Sequence, residues 1–147
     1  MSRRYFDTAY LSKLHWPEEG SNQVLACASS VDEIACAVHG RAEFASVCLR
    51  KLREGVVTRE QIVHVYAQFE ADLEGGLLRF LPMTDAVVKR AEAIFRAAPP
   101  TAYLRAADAL HLACAAENGF EEVYSSDRHL LAAAPLFRLR GVDVVAG

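Results

Sequence analysis

The sequence predicts an α/β fold in which a mainly parallel sheet is covered by helices on both faces. Three observations carry this expectation. Short apolar stretches rich in β-branched or aromatic residues alternate with longer segments of helical period, the pattern that builds parallel sheets. Ile34-Ala35-Cys36-Ala37-Val38 has no polar side, as a strand buried on both faces requires. Helix boundaries fall between the strand candidates: Thr58-Arg59-Glu60-Gln61 is a capping-box pattern, and Gly55, Gly75-Gly76 and Gly119 each follow a helical run.

Taken in order, Arg3 to Phe6 reads as a strand ending at Asp7, and Thr8 to Leu14 as a short helix. A loop from Trp16 leads to Ser21, which opens a helix through Val24, Leu25 and Cys27. The strand Ile34 to Val38 comes next, then a helix from Arg41 to Arg53 with Phe44, Val47, Cys48 and Leu52 on its apolar stripe. The capping box starts a helix that turns Ile62, Val65, Tyr66, Phe69 and Leu73 inward. Leu77 to Leu81 is a strand, and Thr84 caps a helix with Val87, Val88, Ala91, Ile94 and Phe95 at helical spacing. Beyond Pro99-Pro100 a helix is expected from Tyr103 to Asn118, then a strand from Glu122 to Ser125. Asp127 begins a short helix through Leu131, and Val142 to Val145 is a last strand.

The chain has 147 residues, 52% hydrophobic and 24% charged, which predicts one domain over residues 1–147 with a core of its own. Cys27, Cys36, Cys48 and Cys114 sit among apolar residues without a CxxC pair, so free buried thiols are expected. No apolar run approaches the roughly 18 residues of a membrane span, and no signal core follows the arginines at positions 3 and 4. A cytoplasmic location is the expectation. The net charge of −3 argues only weakly against a polyanion partner, because carboxylates committed to cations would leave the remainder no longer acidic.

Four acids stand out. Asp7 and Asp127 each close a strand, while Glu43 and Asp108 each open or line a helix after one. In the Ala/Leu-rich run Arg105 to Ala113, Asp108 gives up helix propensity and, once buried, requires a compensating cation, donor or proton. Helix N-capping is a sufficient structural reason for Asp7 and Asp127, and the helix dipole for Glu43. The crevice beyond the carboxyl ends of parallel strands is nevertheless where open α/β sheets bind ligands, and all four can converge there. Carboxylates roughly 4 Å apart repel by about 4 kcal/mol per pair at an effective dielectric near 20, so such a cluster calls for a cation or a proton. Hard oxygen donors suit Mg²⁺ or Mn²⁺, and the lack of Cys or paired-His spacing speaks against zinc. Phosphodiester hydrolysis fits such a site, one ion activating the attacking water and a second offsetting charge on the leaving oxygen.

Tyr5-Phe6-Asp7-Thr8-Ala9-Tyr10-Leu11-Ser12-Lys13-Leu14, Arg41-Ala42-Glu43-Phe44-Ala45, Arg105-Ala106-Ala107-Asp108-Ala109-Leu110-His111-Leu112-Ala113 and Ser125-Ser126-Asp127-Arg128-His129-Leu130 resemble, in this order, the motifs of PIN-domain proteins. The resemblance spans nearly the whole chain and is to the small VapC-type toxins. It implies a PIN-like three-layer fold and a metal-dependent endoribonuclease leaving a 5′-phosphate and a 3′-hydroxyl. It also implies that Asp7, Glu43, Asp108 and Asp127 hold Mg²⁺ or Mn²⁺ and that the hydroxyls of Thr8 and Ser125 orient the acids or the attacking water. A homodimer is implied as well, with a cognate VapB-like antitoxin whose tail occupies the acidic cleft, often through an arginine. Ser125 stands where Thr is commoner, and His129 where some relatives carry a further acid.

Other residues read more plainly. His111, beside Leu112 on a helix face, is expected to be a hydrogen-bonded packing residue; His129 is expected at the surface, and His15 and His64 have no ligand spacing. Arg50, Lys51 and Arg53 form a solvated helix face that can also guide an RNA backbone. An aspartyl phosphatase would need an acid two residues after Asp7, where Ala9 stands. The remaining alternative is a non-catalytic PIN-fold module that binds a protein partner.

Overall fold

A computed structural model describes residues 1–145. Its sheet has the order β3-β2-β1-β4-β5, and each adjacent pair is parallel. The strands are β1 (Arg3–Phe6), β2 (Glu33–Ala37), β3 (Leu78–Leu81), β4 (Glu122–Tyr124) and β5 (Arg140–Val142). The helices are α1 (Thr8–His15), α2 (Ser21–Ser29), α3 (Gly40–Arg53), α4 (Arg59–Glu74), α5 (Asp85–Ala97), α6 (Ala106–Glu117) and α7 (Arg128–Ala133), with a 3-10 turn over Ala134–Phe137.

Strand alternation divides the interior into two cores. Tyr5, Ala35, Ala37, Leu81 and Val123 point to one face, where α5, α6 and α7 cover them through Val87, Ala91, Leu112 and Leu130. Phe6, Ile34, Cys36, Leu78 and Tyr124 point to the other, under Tyr10, Leu11, Val24, Phe44 and Phe69 of α1 to α4. The result is the expected three-layer α/β arrangement. Cys27, Cys36, Cys48 and Cys114 are free and buried among these residues. Among the described residues no helix is long and apolar enough to cross a membrane.

Most element boundaries lie within a residue or two of expectation, and two do not. The helix expected from Tyr103 begins at Ala106, with Arg105 in extended backbone as its N-cap (φ −90°, ψ 153°). Leu104 packs on the core from the segment ahead of the helix, while Tyr103 is exposed and meets His129 at a tilt, with ring centroids 4.3 Å apart. That contact also leaves His129 half-buried rather than at the open surface. The last strand ends at Val142 instead of running to Val145. The Asp143 carboxylate accepts from the Tyr10 hydroxyl and the Val145 N–H, which turns the chain out of the sheet. On α4 only Phe69 is fully buried, with Ile62, Val65, Tyr66 and Leu73 half-buried beside it. On α5 Val87 and Ala91 face the core, whereas Val88 and Phe95 are exposed.

Candidate metal centre

Because the sheet is parallel, β1, β2 and β4 deliver their following residues to one edge, and the acids gather there. Asp7 leaves β1 and caps α1: its Oδ1 accepts the Tyr10 N–H at 3.1 Å, and its Oδ2 accepts the Ser125 hydroxyl at 2.5 Å. Asp127 leaves β4 and caps α7, its Oδ1 accepting from His129 N–H at 2.8 Å and Leu130 N–H at 3.3 Å. Ser125 joins these two acids, since its Oγ also accepts the Asp127 N–H at 2.9 Å. Both aspartates are thus fixed by the backbone that their own helices leave unpaired.

Glu43 lies in the first turn of α3. Its Oε1 accepts the Thr8 hydroxyl at 2.8 Å and lies 2.6 Å from His111 Nε2. The far side of the His111 ring explains that contact. Tyr5 OH accepts the Ala37 N–H at 2.9 Å and lies 2.6 Å from His111 Nδ1, so its own proton is directed to Nδ1. The imidazole proton is then left on Nε2, facing Glu43. His111 is therefore buried and hydrogen-bonded as expected, but it holds a site acid as well as packing.

Asp108 differs from its sequence reading. Since α6 starts at Ala106, Asp108 sits in the first turn, where the helix dipole favours an acid, and not in mid-helix. Its Oδ2 accepts two bonds from the Arg105 guanidinium, at 3.0 Å from Nε and 2.9 Å from Nη2. The same Nη2 donates to Asp127 Oδ2 at 2.6 Å.

All four acids, with Thr8, Arg105 and His111, line one cavity of about 250 Å³. Thr8, Glu43 and Asp127 also border an adjoining groove of about 720 Å³ that carries Lys13 and Arg50. Lys51 is turned away and pairs with Glu18 at 2.9 Å. Burial pushes the Asp7 carboxyl up to about 6, against the lowering bonds from Ser125 and the Tyr10 N–H. Burial acts in the same sense on Glu43, but the bonds from His111 and Thr8 outweigh it and hold that carboxyl below its ordinary value.

Two contributors lie outside the residues singled out in the sequence. Arg105 is one, and an Arg-x-x-Asp spacing at a helix start was its signal. His39 is the other, four residues before Glu43 on α3. Its Nε2 donates to Ala107 O at 3.0 Å and lies 3.7 Å from Glu43 Oε1, and its ring centroid is 4.2 Å from that of His111. Burial lowers the His39 pKa, and its Nε2 could ligate an ion only by giving up Ala107 O. His39, Glu43 and His111 offer ligand atoms within 4.8 Å of one another. The paired histidines that the linear spacing did not show are therefore brought together by the fold.

A PIN domain model matches residues 4–135. Among solved structures, the chain is similar to VapC20 of Mycobacterium tuberculosis, a toxin that cleaves the Sarcin-Ricin loop. The TM-score is 0.69 at 15% identity, covering 90% of this chain and 95% of that one. It is also similar to a chain of FitAB bound to the IR36 DNA fragment, with a TM-score of 0.66 at 15% identity, covering 99% of this chain and 97% of that one. No curated protein matches the chain in sequence. At such identities the structures speak for the fold, and the family model speaks for membership: the chain belongs to the PIN-domain family.

Proposed function

We propose that the chain, acting as one domain, is a metal-dependent endoribonuclease and the toxin of a toxin-antitoxin module. The observation that carries this reading is the convergence of Asp7, Glu43, Asp108 and Asp127, from four different helix starts, on one cavity at the carboxyl edge of a parallel sheet. The similarity to a toxin that cleaves the Sarcin-Ricin loop supports it.

Four carboxylates lining one cavity are the donor type that a hard divalent cation, Mg²⁺ or Mn²⁺, takes, although among the described residues the ligand atoms within 4.8 Å of one another are those of His39, Glu43 and His111. Such an ion supplies Lewis-acid activation of water and offsets charge on the departing oxygen. The chain's own residues set the geometry. Ser125 ties Asp7 to Asp127, Thr8 and His111 favour the ionised form of Glu43, and the adjoining groove carries Lys13 and Arg50, paired with Glu18 and Glu54, as cations that a phosphate backbone could recruit. Cleavage there would leave a 5′-phosphate and a 3′-hydroxyl. We further propose a homodimer, a cytoplasmic location and a VapB-like antitoxin that occupies the acidic cavity.

The test is cleavage of total RNA by antitoxin-free protein with Mg²⁺ or Mn²⁺, with EDTA and Asp108→Asn controls. Discrete fragments requiring both the metal and Asp108 are expected. Failure both to bind metal and to cut RNA would favour the partner-binding module instead, whereas metal binding without cleavage would point to a narrow substrate absent from the sample.

A further inference from the structure

Each acid of the cavity has its own compensation, and the means differ. Asp7 has two hydrogen bonds, and Glu43 has Thr8 and His111. Asp108 and Asp127 share one guanidinium. Arg105 Nη2 reaches Oδ2 of both, at 2.9 Å and 2.6 Å, and Nε adds a second bond to Asp108 at 3.0 Å. These are charge-assisted contacts on one oxygen of each acid, in the cavity assigned above to a divalent cation.

The two carboxylates are partly sheltered, at 13% and 27% side-chain exposure, whereas Arg105 is 52% exposed. The guanidinium lies at the mouth and the acids lie deeper. Arg105 is also the N-cap of α6 rather than part of the helix, and its side chain makes no cap bond. The bonds that hold its side chain are those to Asp108 and Asp127 themselves, so once they are lost it can leave the acids by rotation about its own side-chain bonds.

We propose that Arg105 is an exchangeable cation of this site: it neutralises Asp108 and Asp127 when no metal is bound, and metal displaces it onto a phosphate of the RNA. The proposal rests on the nuclease reading for its second half only. A divalent ion brings two positive charges to oxygens that the guanidinium serves with one, and the repulsion between the two cations at shared Oδ2 atoms drives the guanidinium out. The released group then stands at the cavity mouth with a fork of N–H donors that matches phosphate oxygens bidentately. The cation that holds the resting site together becomes a substrate contact.

The exchange gives Arg105 opposite effects on two ligands, which a purely structural residue would not show. The test compares wild type, Arg105→Ala and Arg105→Lys. Mn²⁺ binding is read from the free-ion EPR signal, and RNA binding from the anisotropy of a labelled single-stranded RNA with Ca²⁺ in place of Mn²⁺ to stop turnover. Arg105→Ala is expected to bind Mn²⁺ roughly three- to tenfold tighter, the scale of losing exposed competing ion pairs. It is expected to bind RNA roughly tenfold more weakly, with Arg105→Lys recovering part of that loss because it keeps the charge without the fork.

Unchanged or weaker Mn²⁺ binding by Arg105→Ala overturns the exchange. Tighter Mn²⁺ binding with unchanged RNA binding overturns the phosphate contact. Wild type that binds Mn²⁺ but no RNA sinks the nuclease reading and that contact with it, while the Mn²⁺ comparison still decides whether Arg105 occupies the metal's place.

Discussion

Asp7 is 4% exposed, and its burial is the main reason its carboxyl titrates near 6. A raised acid favours the folded state while it is protonated. The folded protein keeps this proton below about pH 6, whereas the unfolded chain releases it near pH 4. The associated stability is therefore complete below about pH 4 and is lost as the pH rises through about 6. A shift of about two units corresponds to an order of 3 kcal/mol at full ionisation. In EDTA, wild type should lose that much relative to Asp7→Asn between pH 4 and pH 8, measured by urea unfolding at each pH. A difference between the two proteins that stays flat across this range would show that the Asp7 proton is not coupled to folding. Glu43 has the opposite sign, since its bonds from His111 and Thr8 favour the ionised form. One cavity thus contains acids tuned in opposite directions by their neighbours.

At the scale of elements, the start of α3 leaves no room for a side chain. A Cβ on Gly40 would lie 2.6 Å from Cys36 Sγ and 3.4 Å from Thr8 Oγ1, with His111 Cε1 at 3.6 Å. The missing side chain lets α3 approach β2 closely enough for Glu43 to meet His111. Gly→Ala in a helix ordinarily gains up to about 1 kcal/mol. Here overpacking at about 1–3 kcal/mol outweighs it, so Gly40→Ala should lower stability by about 1–2 kcal/mol. Combining it with Cys36→Ala should recover part of the loss, giving a non-additive cycle. Strictly additive effects would place the strain elsewhere.

The same elements show what a linear reading reaches. The capping box at Thr58 and Gln61 and the caps at Thr84 and Asp127 are local signals, and all form as read. The start of α6 depends on Leu104 meeting the core and on Tyr103 meeting His129, 26 residues away, which no local pattern encodes. The cavity divides in the same way. The four acids follow from strand ends and motif order, whereas the His111 to Glu43 bond spans 68 residues and that of Arg105 to Asp127 spans 22. Those partners become visible only once the sheet has set the layers side by side.

For the whole molecule, the acids come from both sides of the sheet. Asp7 and Glu43 stand at the starts of α1 and α3, which cover one core; Asp108 and Asp127 stand at the starts of α6 and α7, which cover the other. A cation held by all four would tie the two helical layers across the strand ends, so its binding energy should appear in global unfolding. Wild type should gain about 2.7 kcal/mol at a metal concentration 100 times the dissociation constant. Asp108→Asn should lose that gain yet keep its metal-free stability to within about 1 kcal/mol, because the bond it gives up is to a half-exposed arginine. Hydrogen exchange should slow in α3 and α6 together when Mn²⁺ binds wild type. Slowing confined to one of these helices would mean that the ion is held on one side of the sheet, by the His39, Glu43 and His111 set or by the aspartates of α6 and α7 alone. A large metal-free loss in Asp108→Asn would instead assign that carboxylate to the fold.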